Sequence, residues 1–463
     1  MSRFAILAAC LVGLTSDLPA QEDAAKALKT AATYYRDKVA RHGGYVYFTS
    51  ADLKERWGEG KAGPDTIFVQ PPGTPTVGMA YLRAYEATGD TFYLDAARET
   101  AEALVAGQLQ SGGWTQVIHF GPANRLGKYR TRPGGNWNAS SLDDDQTQSA
   151  LHFLFAADKA LGFKHEAIHE AARYGLDALL KAQFPNGAFP QVWTKPVEAK
   201  SVGPAKYPDY DWKTEGRVKN YWDYYTLNDG LAGTVAATLH VAWLTYKDEK
   251  ALAAIKNLGD FLVLAQMPDP QPGWCQQYGY DMVPIWARQF EPPAVTGGES
   301  QDVMETLITI ARWTGDQKYL EPIPKALAYF KKSLLSDGKV ARYYELKTNK
   351  PLYMDAAYRL TYDDSAAPDH YGWKQPARFD RIEKAYRAAR DGREQPTGKA
   401  VPSADAVRKV MADLDAEGRW VSTHAGERLV GQPKFEKGFR YLSSTVFSKN
   451  VETLSAFIAA GRE

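Results

Sequence analysis

Ser149–Gly162 reads SALHFLFAADKALG. Apolar residues return at every third or fourth position, the spacing of one buried helix face. The pattern recurs at Thr76–Asp90 (TVGMAYLRAYEATGD), Thr234–Glu249 (TVAATLHVAWLTYKDE) and Asp302–Asp316 (DVMETLITIARWTGD), at intervals of roughly 70–85 residues. A second amphipathic run follows each and is closed by Gly, Pro or Asn, which stop helices. These runs end in the loops SGGWTQ, FPNGAFPQ, PQPGWCQ and SDGKVAR, whose last residues are Gln116, Gln191, Gln276 and Arg342. Strand signals are sparse. Helix pairs repeated at this period stack side by side over a shared core, so the expected fold is all-α. It is an α/α toroid, or incomplete α/α barrel, with long loops on one face. In an up-down pair the first helix starts on the face where the second ends. The starts PPGTPT, DDDQT, NDG and GGES therefore share a face with the four closing loops, and function is expected there.

The chain has 463 residues, a formal net charge of +1 and 44% hydrophobic residues. That allows a large core, and the neutral balance argues against nucleic-acid binding. The 12 Trp and 27 Tyr suit stacking on sugar rings as well as core packing. The first residues, MSRFAILAACLVGLTSDLPAQEDA, read as a secretory signal peptide over residues 1–20, cut near Ala20–Gln21. LAAC at Leu7–Cys10 faintly resembles a lipoprotein site. Removal of Cys10 leaves Cys275 alone, without an intrachain disulfide. No later run is long enough to span a membrane. The expected product is a secreted or periplasmic monomer. Residues 21–375 form the toroid domain, and 376–463 form a helical extension of unassigned role. Within that extension, 385–405 reads as a surface segment, with helices near Ala404–Leu414 and Ser444–Ala460.

Three carboxylates, Asp143, Asp144 and Asp145, precede the second repeat, and Asn228 and Asp229 precede the third. Oxygen donors on one face suit a hard cation such as calcium. Both clusters equally suit helix caps. Zinc spacing of His and Cys is not seen. Arg342 stands where the other three repeats have Gln, an exception that marks a candidate functional residue. Trp286, Arg288 and Glu291 lie in the Pro-rich loop before the fourth repeat, and Arg132 and Trp137 lie just before the Asp triplet. Rings and guanidinium groups there would suit a sugar acid. Lys206, Lys213 and Lys219 sit in the insertion before NDG and read as solvated.

SLDDDQTQSALHFL, AQFPNGAFPQVW, YYTLNDG, MPDPQPGWCQQYGYDMVPIWARQFEPPAVTGGES and ARYYELKTNKPLY together resemble the pectate lyases of polysaccharide lyase family 10. The resemblance runs from about Ala80 to Trp373. It implies an α/α toroid that cleaves polygalacturonate by calcium-dependent β-elimination. It assigns Ca2+ to Asp143 and Asp144, calcium or substrate contact to Asp229, and the general base to Arg342. Substrate contacts fall on Arg288, Trp286, Arg132 and Tyr344. DDDQT has Asp where the family often has Asn, and RLTYDDSAAPDHYGW departs from the family pattern downstream of Arg342. The alternatives are a glycoside hydrolase using an Asp pair on a similar toroid, and a uronate-binding protein without catalysis.

Overall fold

A computed structural model describes residues 14–121, 126–198, 200, 202–215, 218–365, 367–368, 371–393 and 401–462. Most of the expected signal peptide, residues 1–13, lies outside them, as does 394–400 of the charged segment. The helices are α1 (Leu14–Tyr34), α2 (Thr74–Thr88), α3 (Thr91–Gly107), α4 (Gln146–Ala160), α5 (Glu166–Lys181), the single turn α6 (Trp212–Glu215), α7 (Leu231–Tyr246), α8 (Glu249–Leu264), α9 (Gly297–Thr314), α10 (Ile323–Lys332), α11 (Phe379–Arg390), α12 (Ala404–Ala412) and α13 (Ser444–Ala460). Among these, none is long and apolar enough to cross a membrane.

The four periodic stretches are α2, α4, α7 and α9. They pack side by side in chain order, as the repeat predicts, and the following helices α3, α5, α8 and α10 pack outside them. Links within a pair are short because a left-handed residue ends one helix and an Asp caps the next. Gly89 has φ 71°, and Asp90 accepts from the Phe92 backbone N–H at 2.9 Å. Lys247 and Asp248 do the same between α7 and α8. The architecture is an α/α toroid.

The loops are stitched by short strand pairs, the last of them part of a four-stranded sheet, too short to be seen in the sequence pattern. Thr66–Phe68 pairs with Val117–His119, Ser140–Ser141 with Val192–Trp193, Tyr225–Thr226 with Gln277–Tyr278, and Val295–Thr296 with Tyr343–Tyr344, all antiparallel. The last residue of each closing loop accepts a backbone bond from the start of its own repeat: Gln116 from Val69, Gln191 from Leu142, Gln276 from Leu227 and Arg342 from Gly297, at 2.8–3.0 Å. The recurrent slot is thus a fixed place in the fold.

A fifth copy is split between the two ends of the chain. Gly43-Gly44-Tyr45-Val46-Tyr47 follows α1 as Gly112-Gly113-Trp114-Thr115-Gln116 follows α3. Tyr47 accepts from the backbone N–H of Ser444, the first residue of α13, at 3.0 Å. Phe48–Ser50 pairs with the strand Arg440–Ser443. The inner helix of this repeat is therefore α13 and its outer helix is α1. Phe447, Val451, Leu454 and Ile458 of α13 are buried, and α13 packs against α1, α2 and α12. Residues 376–463 thus supply one inner helix of the ring, beside α2, and α11 lies against α9 at the other end of the row.

Candidate active site and metal centre

Leu142-Asp143-Asp144-Asp145 and Leu227-Asn228-Asp229-Gly230 take the same path into α4 and α7. Asp144 and Asp229 have φ 45° and 51°, and Asp145 and Gly230 follow at 61° and 70°. Side chains seldom adopt this left-handed backbone, and Asp and Asn tolerate it best. The helix-cap alternative fails here. Asp145, at the cap position of α4, makes no capping hydrogen bond, and Gly230 has no side chain to offer. Instead the two turns touch. One carboxylate oxygen from each of Asp143, Asp144 and Asp229 lies within 4.8 Å of the others.

These charges oppose one another. Burial, then the charge of Asp143 and of Glu59, pushes the Asp144 carboxyl up to about 6. Burial, then Asp144, Asp143 and Glu299, pushes Asp229 up to about 7, with Arg342 acting in the other direction. Burial also raises Asp143, partly offset by Arg288. Asp144 and Asp229 still reach solvent, so the crowding comes from the walls of an open cleft. Among the described residues, Asp143 Oδ1 is buried without a hydrogen-bond partner. An oxygen-only donor set with an orphaned carboxylate oxygen fits a hard divalent cation such as calcium.

Two arginines flank the cluster. Arg288 Nη2 lies 3.5 Å from Asp229 Oδ2, and its Nε donates to Glu291 Oε2 at 3.0 Å. Arg342 comes from the exceptional slot. Its Nη2 is 3.6 Å from Glu299 Oε1 and 3.8 Å from Asp229 Oδ1, and its guanidinium lies 4.1 Å above the Tyr371 ring. Among the described residues its Nε is buried without a partner. Burial acts to lower the pKa of Arg342, but Glu299, Tyr343, Tyr371 and Asp229 outweigh it and hold the group cationic. The glycines of GGES allow this approach. A Cβ on Gly297 would stand 2.3 Å from the Ala341 carbonyl oxygen.

Three expected substrate contacts are placed elsewhere. Tyr344 is buried; its hydroxyl donates to the Ser333 carbonyl at 2.7 Å and accepts from the Ala341 N–H at 3.0 Å. Tyr278, two residues after Gln276, makes the same pair of bonds to Ala265 and Cys275. Tyr344 is therefore a structural residue of the repeat. Arg132 is held by the carbonyls of Ala106 and His119 at 2.7 and 2.8 Å, over the ring of Tyr129. Trp286 is buried, and its backbone carbonyl accepts from the Val218 N–H at 3.0 Å. Lys213 is exposed, as expected, and also pairs with the buried Glu345.

Further residues complete the site. Glu59, on the hairpin Arg56–Ala62, accepts from Gln70 at 2.7 Å and Gln116 at 2.6 Å, and Gln70 also donates to Asp144 at 3.2 Å. Gln276 donates to Asn228 and Glu291, and its oxygen accepts from Tyr343 at 2.9 Å. Tyr371 donates to Glu291 Oε1 at 3.0 Å. The recurrent Gln of the closing loops was the available signal for Gln116 and Gln276. Tyr371 and Glu59 come from irregular segments and had none.

Residues 122–340 match the family model described as pectic acid lyase. The match covers a little under half of the chain, takes in the acidic cluster and Arg288, and ends just before Arg342. Over this stretch the chain is similar to the pectic acid lyase family. By class it is a polysaccharide lyase. Among solved structures it is similar to a family 10 polysaccharide lyase from Cellvibrio cellulosa, at 19% identity and a TM-score of 0.47, over 67% of this chain and 95% of that one. A mutant of a Cellvibrio cellulosa family 10 lyase in complex with trigalacturonic acid gives the same identity and TM-score, over 67% of this chain and 98% of that one. A D-mannose isomerase is similar at 14% identity and a TM-score of 0.42, over 84% and 100% of the two chains. These likenesses are too distant to transfer an activity. No curated protein matches the chain.

Proposed function

We propose that this chain is an exported, calcium-dependent pectate lyase that cleaves polygalacturonate by β-elimination with Arg342 as general base. The observation that carries the reading is the placing of Arg342: a buried guanidinium with an unpartnered Nε, beside three clustered carboxylates, in a slot that three sister repeats fill with Gln. Asp143, Asp144 and Asp229 would hold the calcium. Bound there, it would supply positive charge to the carboxylate of the uronate and so acidify the adjacent C5 proton.

The chain's own groups do the rest. Arg288, fixed by Glu291, presents positive charge at the cleft for a substrate carboxylate. Tyr371 fixes the plane of Arg342 from below. Arg342, as the neutral guanidine, takes the C5 proton. The electron pair forms the C4–C5 double bond, the C4–O4 bond breaks, and water protonates the departing O4. An arginine base requires that the surrounding negative charge be neutralised, because Glu299 and Asp229 are what hold its proton. Once they are neutralised, burial favours the neutral form, and more so at alkaline pH. Proximity to C5 then does what basicity alone would not. Export follows from residues 1–20; after cleavage near Gln21, Ala24, Leu28, Ala31 and Ala32 still bury the α1 face.

Mass spectrometry of the products tests the chemistry. Elimination gives new non-reducing ends one water lighter than hydrolysis gives. Products of full hydrolytic mass would replace this reading with an Asp-pair hydrolase.

A further inference from the structure

Between α2, α4, α7 and α13 the ring encloses a cavity of about 470 Å³, in the size range of small-ligand sites. It opens at the acidic cluster. Asp145, on its rim, follows Asp144 directly. Pro71 and Pro72, on its wall, follow Gln70, which bonds Asp144. Small residues, Ala80 and Ala237, leave the space open.

The polar lining has a definite sense. Ser149 donates its hydroxyl proton to the Gln146 carbonyl, Thr234 to Leu231, Thr238 to Thr234 and Ser448 to Thr76, at 2.9–3.4 Å. A hydroxyl whose proton is spent on the backbone still has lone pairs to accept with. Asp145 adds a carboxyl acceptor. Of the other groups, Arg83 is paired with Glu452, Lys449 lies exposed at the edge of α13, and His152, kept neutral by burial and by the charge of Arg83, offers one N–H donor and one acceptor nitrogen. A uronate carboxylate here would meet mostly acceptors and an arginine already paired, and would lose much of its water without compensation. A neutral sugar brings several hydroxyl donors and apolar ring faces for the Pro and Ala walls.

We propose that this cavity receives a neutral sugar carried by the polyuronate, seated beside the bond that is cleaved. The inference rests on the lyase reading and narrows its substrate to a polymer bearing neutral sugars. The test compares kcat/KM on bare polygalacturonate and on a polyuronate carrying single neutral-sugar branches, for the wild type, Ala237→Phe and Thr445→Trp. Ala237→Phe fills the cavity. Thr445→Trp narrows its mouth from an exposed position, and serves if the first variant does not fold. Neither residue touches the acidic cluster or the arginines. The expected result is activity within twofold of wild type on the bare polymer and a loss of tenfold or more on the branched one. Equal effects on both polymers, or a wild type that cleaves only the bare polymer, would overturn the proposal while leaving the lyase reading standing. A wild type that eliminates neither polymer would remove both.

Discussion

Replacing Arg342 with the residue of its three sister slots, Arg342→Gln, separates its chemistry from its place in the fold. Gln116 and Gln276 donate from that slot to Glu59 and Glu291, so a Gln at 342 has Glu299 within reach. The ion pair it replaces spans 3.6 Å between side chains that are 10% and 4% exposed. Losing it while gaining a hydrogen bond should cost less than the about 3–5 kcal/mol of a buried ion pair broken outright, and the protein should stay folded. Turnover should fall at least about 100-fold, the lower end for a lost general base. Calcium binding should move the other way. Arg342 Nη2 lies 3.8 Å from Asp229 Oδ1, and Asp229 is 31% exposed, so the screened limit of about 1 kcal/mol applies. Removing that positive charge should tighten calcium about fivefold, read by calorimetric titration alongside the activity assay. A variant that keeps more than a tenth of its turnover, or one that binds calcium more weakly, would refute the placing of Arg342 as base beside the metal.

Asp144→Asn and Asp229→Asn should each raise the calcium concentration for half-maximal activity tenfold or more, measured by titrating activity with metal. Asp145→Asn should leave it within about threefold, because Asp145 is not among the clustered oxygens. Without calcium, stability should depend on pH in a set direction. Asp144 and Asp229 sit at about 6 and about 7 when folded, above the value of about 4 in an unfolded chain. The folded state therefore binds these protons more tightly, and stability is lost as pH rises from about 4 to about 7. In chelator the melting temperature should climb as pH is lowered from 8 to 5. With excess calcium, which needs the carboxylates ionised, that trend should flatten or reverse. A chain ending at residue 375 should not fold, as judged by circular dichroism. It lacks α13, whose buried Phe447, Val451, Leu454 and Ile458 each contribute about 1.5–3 kcal/mol.

The helical period made α2, α4, α7 and α9 legible, and the closing loops made the face they share legible. The acidic cluster was legible because its two halves hold equivalent places in consecutive repeats. Its geometry was not, since a left-handed turn at Asp144 and Asp229 is a backbone property that Asp permits without requiring. The split repeat was hidden because its inner and outer helices lie at opposite ends of the chain and Tyr47 fills the Gln slot. Tyr344 misled because it adjoins Tyr343, whose hydroxyl does face the Gln276–Tyr371 network. Two neighbouring tyrosines look alike in a sequence, and only the bond to Ser333 shows which of them is structural. Arg132 and Trp286 have the residue types a sugar acid needs, but a guanidinium can be used up by backbone carbonyls and an indole by burial, and composition reports neither.

The central claim is elimination that depends on calcium held at Asp143, Asp144 and Asp229. The most direct measurement is ultraviolet absorbance of the C4–C5 unsaturated uronate. Purified protein acts on polygalacturonate at alkaline pH, first with calcium and then with chelator added. The account predicts a steady rise that chelation stops and excess calcium restores. A rise indifferent to chelator, or new reducing ends without any rise, would contradict it.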